Sequence, residues 1–137
     1  MKQVLTIFSI LLLALTGCTA PQAAPLEAPA TDGVQVYYFH GKQRCATCNA
    51  IEQRAAEVVN SLSDSTVAYT VVDLSTTEGA AVAANFEVAS SALVLCQWRD
   101  GQLVRHVDLT NMAFASARSN PQQLKQSLAD EILKLQP

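Results

Sequence analysis

Val34-Gln35-Val36-Tyr37-Tyr38-Phe39, followed by His40-Gly41-Lys42-Gln43-Arg44 and then Cys45-Ala46-Thr47-Cys48-Asn49-Ala50-Ile51-Glu52, is the stretch that decides the fold. Its first six residues are dominated by β-branched and aromatic side chains, with none of the polar alternation of a half-exposed strand, so they read as a strand buried on both faces. Gly41 ends it. From Ala46 to Leu62 the apolar residues Ile51, Ala55, Val58, Val59 and Leu62 recur at three- and four-residue spacing, which predicts a helix with one core-facing stripe. Ser63-Asp64-Ser65 closes that helix. The C-x-x-C pair therefore falls where a buried strand hands the chain to a helix.

A C-x-x-C is short and common, so its position carries the information. Cys45 stands at the helix N-terminus, and Cys48 lies one turn inside on the same side. Unpaired backbone N–H groups and the helix dipole stabilise a thiolate there, and Lys42 and Arg44 add positive charge nearby. Cys45 is thus the expected nucleophile. Cys48, deeper and better shielded, is the expected resolving thiol that attacks a mixed disulfide from behind.

Downstream, residues 67–74 with Val71-Val72 read as a second strand. Ser75-Thr76-Thr77-Glu78 then offers a Ser N-cap with Glu at the third helical position, a capping box opening a short helix through Ala84 or Phe86. Residues 92–98 and 103–107 flank Asp100-Gly101, a strong signal for an antiparallel hairpin. Asn120-Pro121 supplies an N-cap with Pro at the first helical position, and Leu124, Leu128, Ile132 and Leu135 mark the stripe of a final helix. The order is β-α-β-α-β-β-α, a mixed α/β sheet with flanking helices.

That order, the C-x-x-C after the first strand and the closing hairpin resemble the thioredoxin fold over nearly all of residues 34–135. The resemblance implies a thiol-disulfide oxidoreductase acting on protein or small-molecule thiols and disulfides, with no cofactor and as a monomer. Ala46-Thr47 between the cysteines differs from the Gly-Pro of thioredoxin itself. Two further departures bear on the site. The family's cis-proline facing the cysteines has no counterpart, since no proline lies between Pro29 and Pro121; matching Phe86-Glu87-Val88 to the approach places Ala92 at that position, after Ser91. The family's buried acid is also missing, its stretch being occupied by Tyr38 or Phe39, which leaves His40 or solvent to handle protons.

The open space in front of the thiols keeps a second reading in view. Cys45 and Cys48, joined by His40, His106 or Cys96, would suit a soft metal such as Cu(I) or Zn in a carrier protein. One C-x-x-C supplies only two ligands, and the sequence offers no second pair. As an inert structural disulfide the motif closes too short a loop to stabilise much. Cys96, between Leu95 and Gln97 in an interior strand, reads as an apolar filler. His106 reads as a solvated edge residue, and Trp98 as a cover for the sheet end.

Upstream, Met1-Lys2-Gln3, the apolar run at residues 4–15 and Leu15-Thr16-Gly17-Cys18 have the charged, apolar and small-residue regions of a secretory signal. The run is too short for a membrane-spanning helix. Its last four residues resemble the bacterial lipoprotein lipobox, which implies cleavage after residue 17 and acylation of Cys18. We expect a signal peptide at 1–17, a lipidated Cys18 with a Pro- and Ala-rich tether at 18–33, and one folded domain at 34–137. The tether carries Pro21, Pro25 and Pro29 and too little bulky apolar surface to fold. The expected location is the bacterial cell envelope, lipid-anchored with the domain in the periplasm. Thr19 in place of Asp leans toward the outer membrane.

Of the chain's 137 residues, 50% are hydrophobic and 15% charged, with a formal charge of −3. Removing residues 1–17 takes away Lys2 and no acid, so the mature chain is more acidic still. That balance argues against nucleic acid as a partner, which calls for a clustered basic face. Phosphate-cradling loops are absent, with only 5 glycines in all. No serine sits on a nucleophile elbow, which removes the hydrolase reading.

Overall fold

β1 (Gly33–His40) occupies the interior of a four-stranded sheet of order β2-β1-β3-β4, where β2 is Val67–Asp73, β3 Ala92–Arg99 and β4 Gln102–Asp108. β1 runs parallel to β2 and antiparallel to β3, and β3 pairs antiparallel with β4. The computed structural model describes residues 22–136. The expected signal peptide, the lipidation site Cys18 and the start of the tether lie outside the described residues. No helix within them is long and apolar enough to cross a membrane.

The helices are α1 (Ala46–Leu62), α2 (Thr77–Ala84), α3 (Thr110–Ser116) and α4 (Pro121–Leu135). Seven of the eight β1 residues are buried, as expected for a strand covered on both faces. Val34, Val36 and Tyr38 turn one way, into a layer with Ile51 and Ala55 of α1, Ala113 of α3 and Leu124, Leu128 and Ile132 of α4. Tyr37 and Phe39 turn the other way, toward Val72, Val94, Cys96, Trp98 and Ala83 of α2. Three helices thus pack on one face and one short helix on the other.

Ala24 and Leu26, within the segment expected to be a tether, meet that thinner face. Leu26 packs against its apolar layer, the Ala24 N–H donates to the Ala81 carbonyl, and the Asn85 side-chain amide donates to the Ala24 carbonyl at 2.8 Å. This extra cover compensates for the small area that one helix of 8 residues brings to the sheet.

The expected strands and the expected first, second and last helices are present, with local corrections. The Asp100-Gly101 turn has φ of 50° and 71°, both positive, as a tight two-residue hairpin requires. Asn120 caps α4 and Pro121 opens it. Thr76, not Ser75, is the N-cap of α2: its hydroxyl accepts from the Gly79 N–H at 2.9 Å, while the Ser75 N–H is already taken by the Asp73 carboxylate. Glu78 sits one residue too early for a reciprocal capping-box bond and acts only as a negative charge in the first turn. Gly79 is required there, because a Cβ would lie 2.0 Å from the Asp73 carbonyl oxygen.

The sequence reading did not anticipate α3. Its N-cap Leu109 offers no side-chain cap; the Thr110 N–H donates to the Asp108 carboxylate at 2.8 Å, the Leu109 N–H donates to the Leu93 carbonyl, and the Leu93 N–H donates to the Thr110 hydroxyl. The layer beneath α1 and α4 is the larger of the two apolar layers. Leu128, 0% exposed, when changed to Ala should cost roughly 2–5 kcal/mol, read as a lower denaturant midpoint with an unchanged slope.

Candidate functional site

The end of β1 and the start of α1 are tied to their neighbours before any side chain is considered. The Leu74 N–H donates to the His40 carbonyl at 2.8 Å, which pins the strand end to the β2–α2 connection. The chain then crosses Gly41–Arg44 and enters α1 through Cys45, whose φ of −83° and ψ of 162° are those of an N-cap. A cysteine therefore stands where Ser, Thr or Asp ordinarily cap. Its Sγ accepts the Cys48 N–H at 3.0 Å, and its carbonyl accepts the Asn49 N–H at 3.0 Å. The first turn of α1 contains no acidic residue, so nothing anionic competes for the positive end of the helix.

Cys45 and Cys48 form a disulfide, with Cα atoms 5.0 Å apart. Their exposures differ sharply: Cys45 is exposed and Cys48 is buried at 6%. An incoming disulfide or thiol reaches Cys45 from solvent, while Cys48 is shielded behind it. Beside the delivering loop lies an open groove of about 370 Å³ between Gly41–Gln43, Leu74-Ser75 and Ala89–Ser91.

Beneath the pair, the stretch without an acid resolves into two aromatic residues on opposite faces. Phe39 points to the α2 side, and Tyr38, 0% exposed, points to α1, where its hydroxyl donates to the Cys48 carbonyl at 2.8 Å. Burial pushes the Tyr38 phenol pKa above its ordinary value, opposed by the charge of Arg44 and the hydroxyl of Ser91, so it remains a donor at neutral pH. Tyr69 on β2 donates to the Glu52 carbonyl at 3.1 Å, one turn further along the same helix. Nothing in the sequence alone reveals these two bonds, because they need the strand register Val36↔Tyr69 and Tyr38↔Val71 to bring both phenols onto the α1 face.

The expected supporting residues are placed as follows. Arg44 is ion-paired with Glu52, so much of its charge is directed back along α1. Lys42 is exposed and lines the groove. His40 ends β1 with Nδ1 3.0 Å from the Gly41 carbonyl oxygen, and its charge helps hold the Asp73 carboxyl below the usual range, after the larger effect of the Ser75 hydrogen bonds. Ala92 opens β3 opposite Phe39, and its side chain enters the α2-side layer while Cys48 belongs to α1 on the other face.

Among the described residues no group of three or more His, Cys, Asp or Glu side chains converges to hold a metal ion. Of the three candidate third ligands, His40 stays at the end of β1 without completing such a group, and the other two are elsewhere. His106 is exposed on β4 with its ring edge against Phe86 at 5.4 Å, and Cys96 is a free thiol at 0% exposure in the α2-side layer. Burial pushes the Cys96 thiol from 9.0 up to about 12.

No protein-family model and no curated protein sequence matches the chain. Solved structures similar to it include Trxlp from Edwardsiella tarda, 20% identical over 72% of this chain and 84% of that one, with a TM-score of 0.48. Fasciola hepatica thioredoxin is 17% identical over 77% of this chain and 83% of its own, also at 0.48. Oxidized mitochondrial thioredoxin 3 from Saccharomyces cerevisiae is 22% identical over 72% and 79%, at 0.46. At these values the likenesses carry no functional inference. The thioredoxin-like character of the fold stands on its own element order and on the C-x-x-C at the head of α1.

In the reduced native protein near neutral pH, alkylation followed by peptide mass analysis should label Cys45 first and Cys48 more slowly. Cys96 should react only after unfolding or as the pH approaches about 12.

Proposed function

We propose that this chain is an exported, lipid-anchored thiol-disulfide exchange protein that works through Cys45 and Cys48. The observation that carries the reading is the pairing of an exposed sulfur, accepting a backbone N–H at the mouth of a helix, with a buried sulfur one turn inside. An N-cap position favours negative charge on whatever atom fills it, so it lowers the free energy of a Cys45 thiolate relative to its thiol.

The exchange follows from that asymmetry. The Cys45 thiolate attacks one sulfur of a partner disulfide, forming a Cys45 mixed disulfide and expelling the first partner thiolate. Cys48 then attacks the Cys45 sulfur, its proton passing to the departing thiolate or to water. The internal disulfide forms and the second partner thiolate leaves. Two electrons have moved from the protein dithiol to the partner. Run backward, the same steps oxidise a partner dithiol, and the direction is set by the partner's potential.

Partners are protein or small-molecule thiols and disulfides, for which the open groove beside the delivering loop leaves room. The lipid anchor rests on the Leu15-Thr16-Gly17-Cys18 run behind an apolar segment and Lys2. It places the domain in the bacterial periplasm, where disulfides form and persist. The outer membrane is favoured by Thr19.

Cys45→Ser should abolish exchange with a disulfide peptide, while Cys48→Ser should keep the first attack and accumulate a mixed disulfide visible by intact mass. Equal loss of the first attack in both variants would refute the assignment of roles. Separately, Cys18→Ser should shift the protein from the membrane fraction and remove the acyl mass; an unmodified mature N-terminus elsewhere would refute the anchor.

A further inference from the structure

Cys48 has to do two things that pull against each other: stay buried enough to be protected, and place its sulfur within reach of Cys45 when a mixed disulfide forms. α1 contacts the sheet through an apolar stripe of Ile51, Ala55, Val58 and Val59, which begins one turn after Cys48. An apolar stripe fixes distance well and rotation poorly, because burial is nearly indifferent to direction. Directional contacts at the cysteine end come from two phenols. Tyr38 on β1 donates to the Cys48 carbonyl at 2.8 Å, and Tyr69 on the neighbouring strand donates to the Glu52 carbonyl at 3.1 Å. The two acceptors lie four residues apart on one side of the helix. Glu52 in turn holds Arg44, the residue before Cys45, in an ion pair.

We propose that Tyr38, seconded by Tyr69, is a positioning residue for the resolving step: it fixes the rotation of the first turns of α1, and so the line along which the Cys48 sulfur approaches the Cys45 sulfur. The first attack does not depend on it in the same way. Cys45 reaches outward to solvent, and its sulfur takes its hydrogen bond from the Cys48 N–H within the helix itself. The inference rests on the exchange reading above and separates the two half-reactions that this reading contains.

The test measures both half-reactions on the full chain with a disulfide peptide as probe. In a Cys48→Ser background, the rate of mixed-disulfide formation at Cys45 reports attack. With Cys48 intact, rapid acid quenching and mass analysis report decay of the Cys45 mixed disulfide into the internal disulfide. Tyr38→Phe keeps the ring and removes the hydroxyl. It should leave attack within about twofold and slow resolution by roughly three- to tenfold, the size expected for one lost hydrogen bond. Tyr69→Phe should change resolution in the same direction by less, and it carries the test if Tyr38→Phe fails to fold. Resolution at the wild-type rate in both, or equal slowing of attack and resolution, would overturn the positioning role and leave the exchange reading intact. Failure of the otherwise unaltered Cys48→Ser protein to form any Cys45 mixed disulfide would overturn the exchange reading, and the positioning role with it.

Discussion

The 3.0 Å contact from the Cys48 N–H to the Cys45 sulfur exists because two constraints meet at one residue. A helix must satisfy the donors of its first turn, and a strand buried on both faces must end where its side chains no longer have cover. β1 delivers the chain to that point, the Leu74–His40 bond holds the strand end, and the residue filling the cap is a cysteine. A sulfur placed there is biased toward negative charge by the helix end itself, with Lys42 and Arg44 in the loop that precedes it. The exposed Cys45 and the buried Cys48 are one helical turn apart, the first at the helix mouth and the second inside it.

Everything else stabilises that junction. The layer of α1, α3 and α4 against Val36, Tyr38, Leu93 and Leu95 sets how far α1 stands from the sheet. The two tyrosine bonds orient it. On the opposite face the cover is thinner, with α2 and Leu26 lying over Tyr37, Phe39, Val94 and Cys96. Asn85 joins the two by donating to carbonyls of both α2 and the tether. Trp98, 3% exposed, closes the far end of this face, and its indole N–H has no partner among the described residues.

The sheet, the first helix, the hairpin and the last helix were legible in the sequence because each leaves a local mark. Continuous burial in residues 34–39, a helical stripe from Ile51 to Leu62, positive φ at Asp100-Gly101, and Asn-Pro before Leu124 are all short-range signals. α3 left little. Its one local mark is the Asp108 carboxylate accepting the Thr110 N–H, its N-cap Leu109 has no capping side chain, and its other anchors come from Leu93 on another strand. The cap of α2 falls one residue later than expected: Ser75 lies in the turn closed by the Asp73 carboxylate, and it is the Thr76 hydroxyl that accepts the Gly79 N–H. At the site, the placing of Cys45 at the helix mouth and Cys48 one turn inside was readable from position along the chain. The hydrogen bonds of Tyr38 and Tyr69 were not, because a tyrosine in a strand looks the same whether its hydroxyl meets a helix carbonyl or nothing. Only the β1–β2 register distinguishes the two.

The central claim is that the Cys45 sulfur is stabilised as a thiolate by its place at the head of α1. The direct measurement is an ultraviolet thiolate titration of the reduced Cys48→Ala variant, which removes the second sulfur and keeps the backbone N–H that Cys45 accepts. Cys96 stays silent because its thiol titrates only near 12. The expected apparent pKa for Cys45 is within roughly 3.5–7.5, the range of cysteines at helix N-termini. A value at or above about 8.5, that of an ordinary free cysteine, would contradict it.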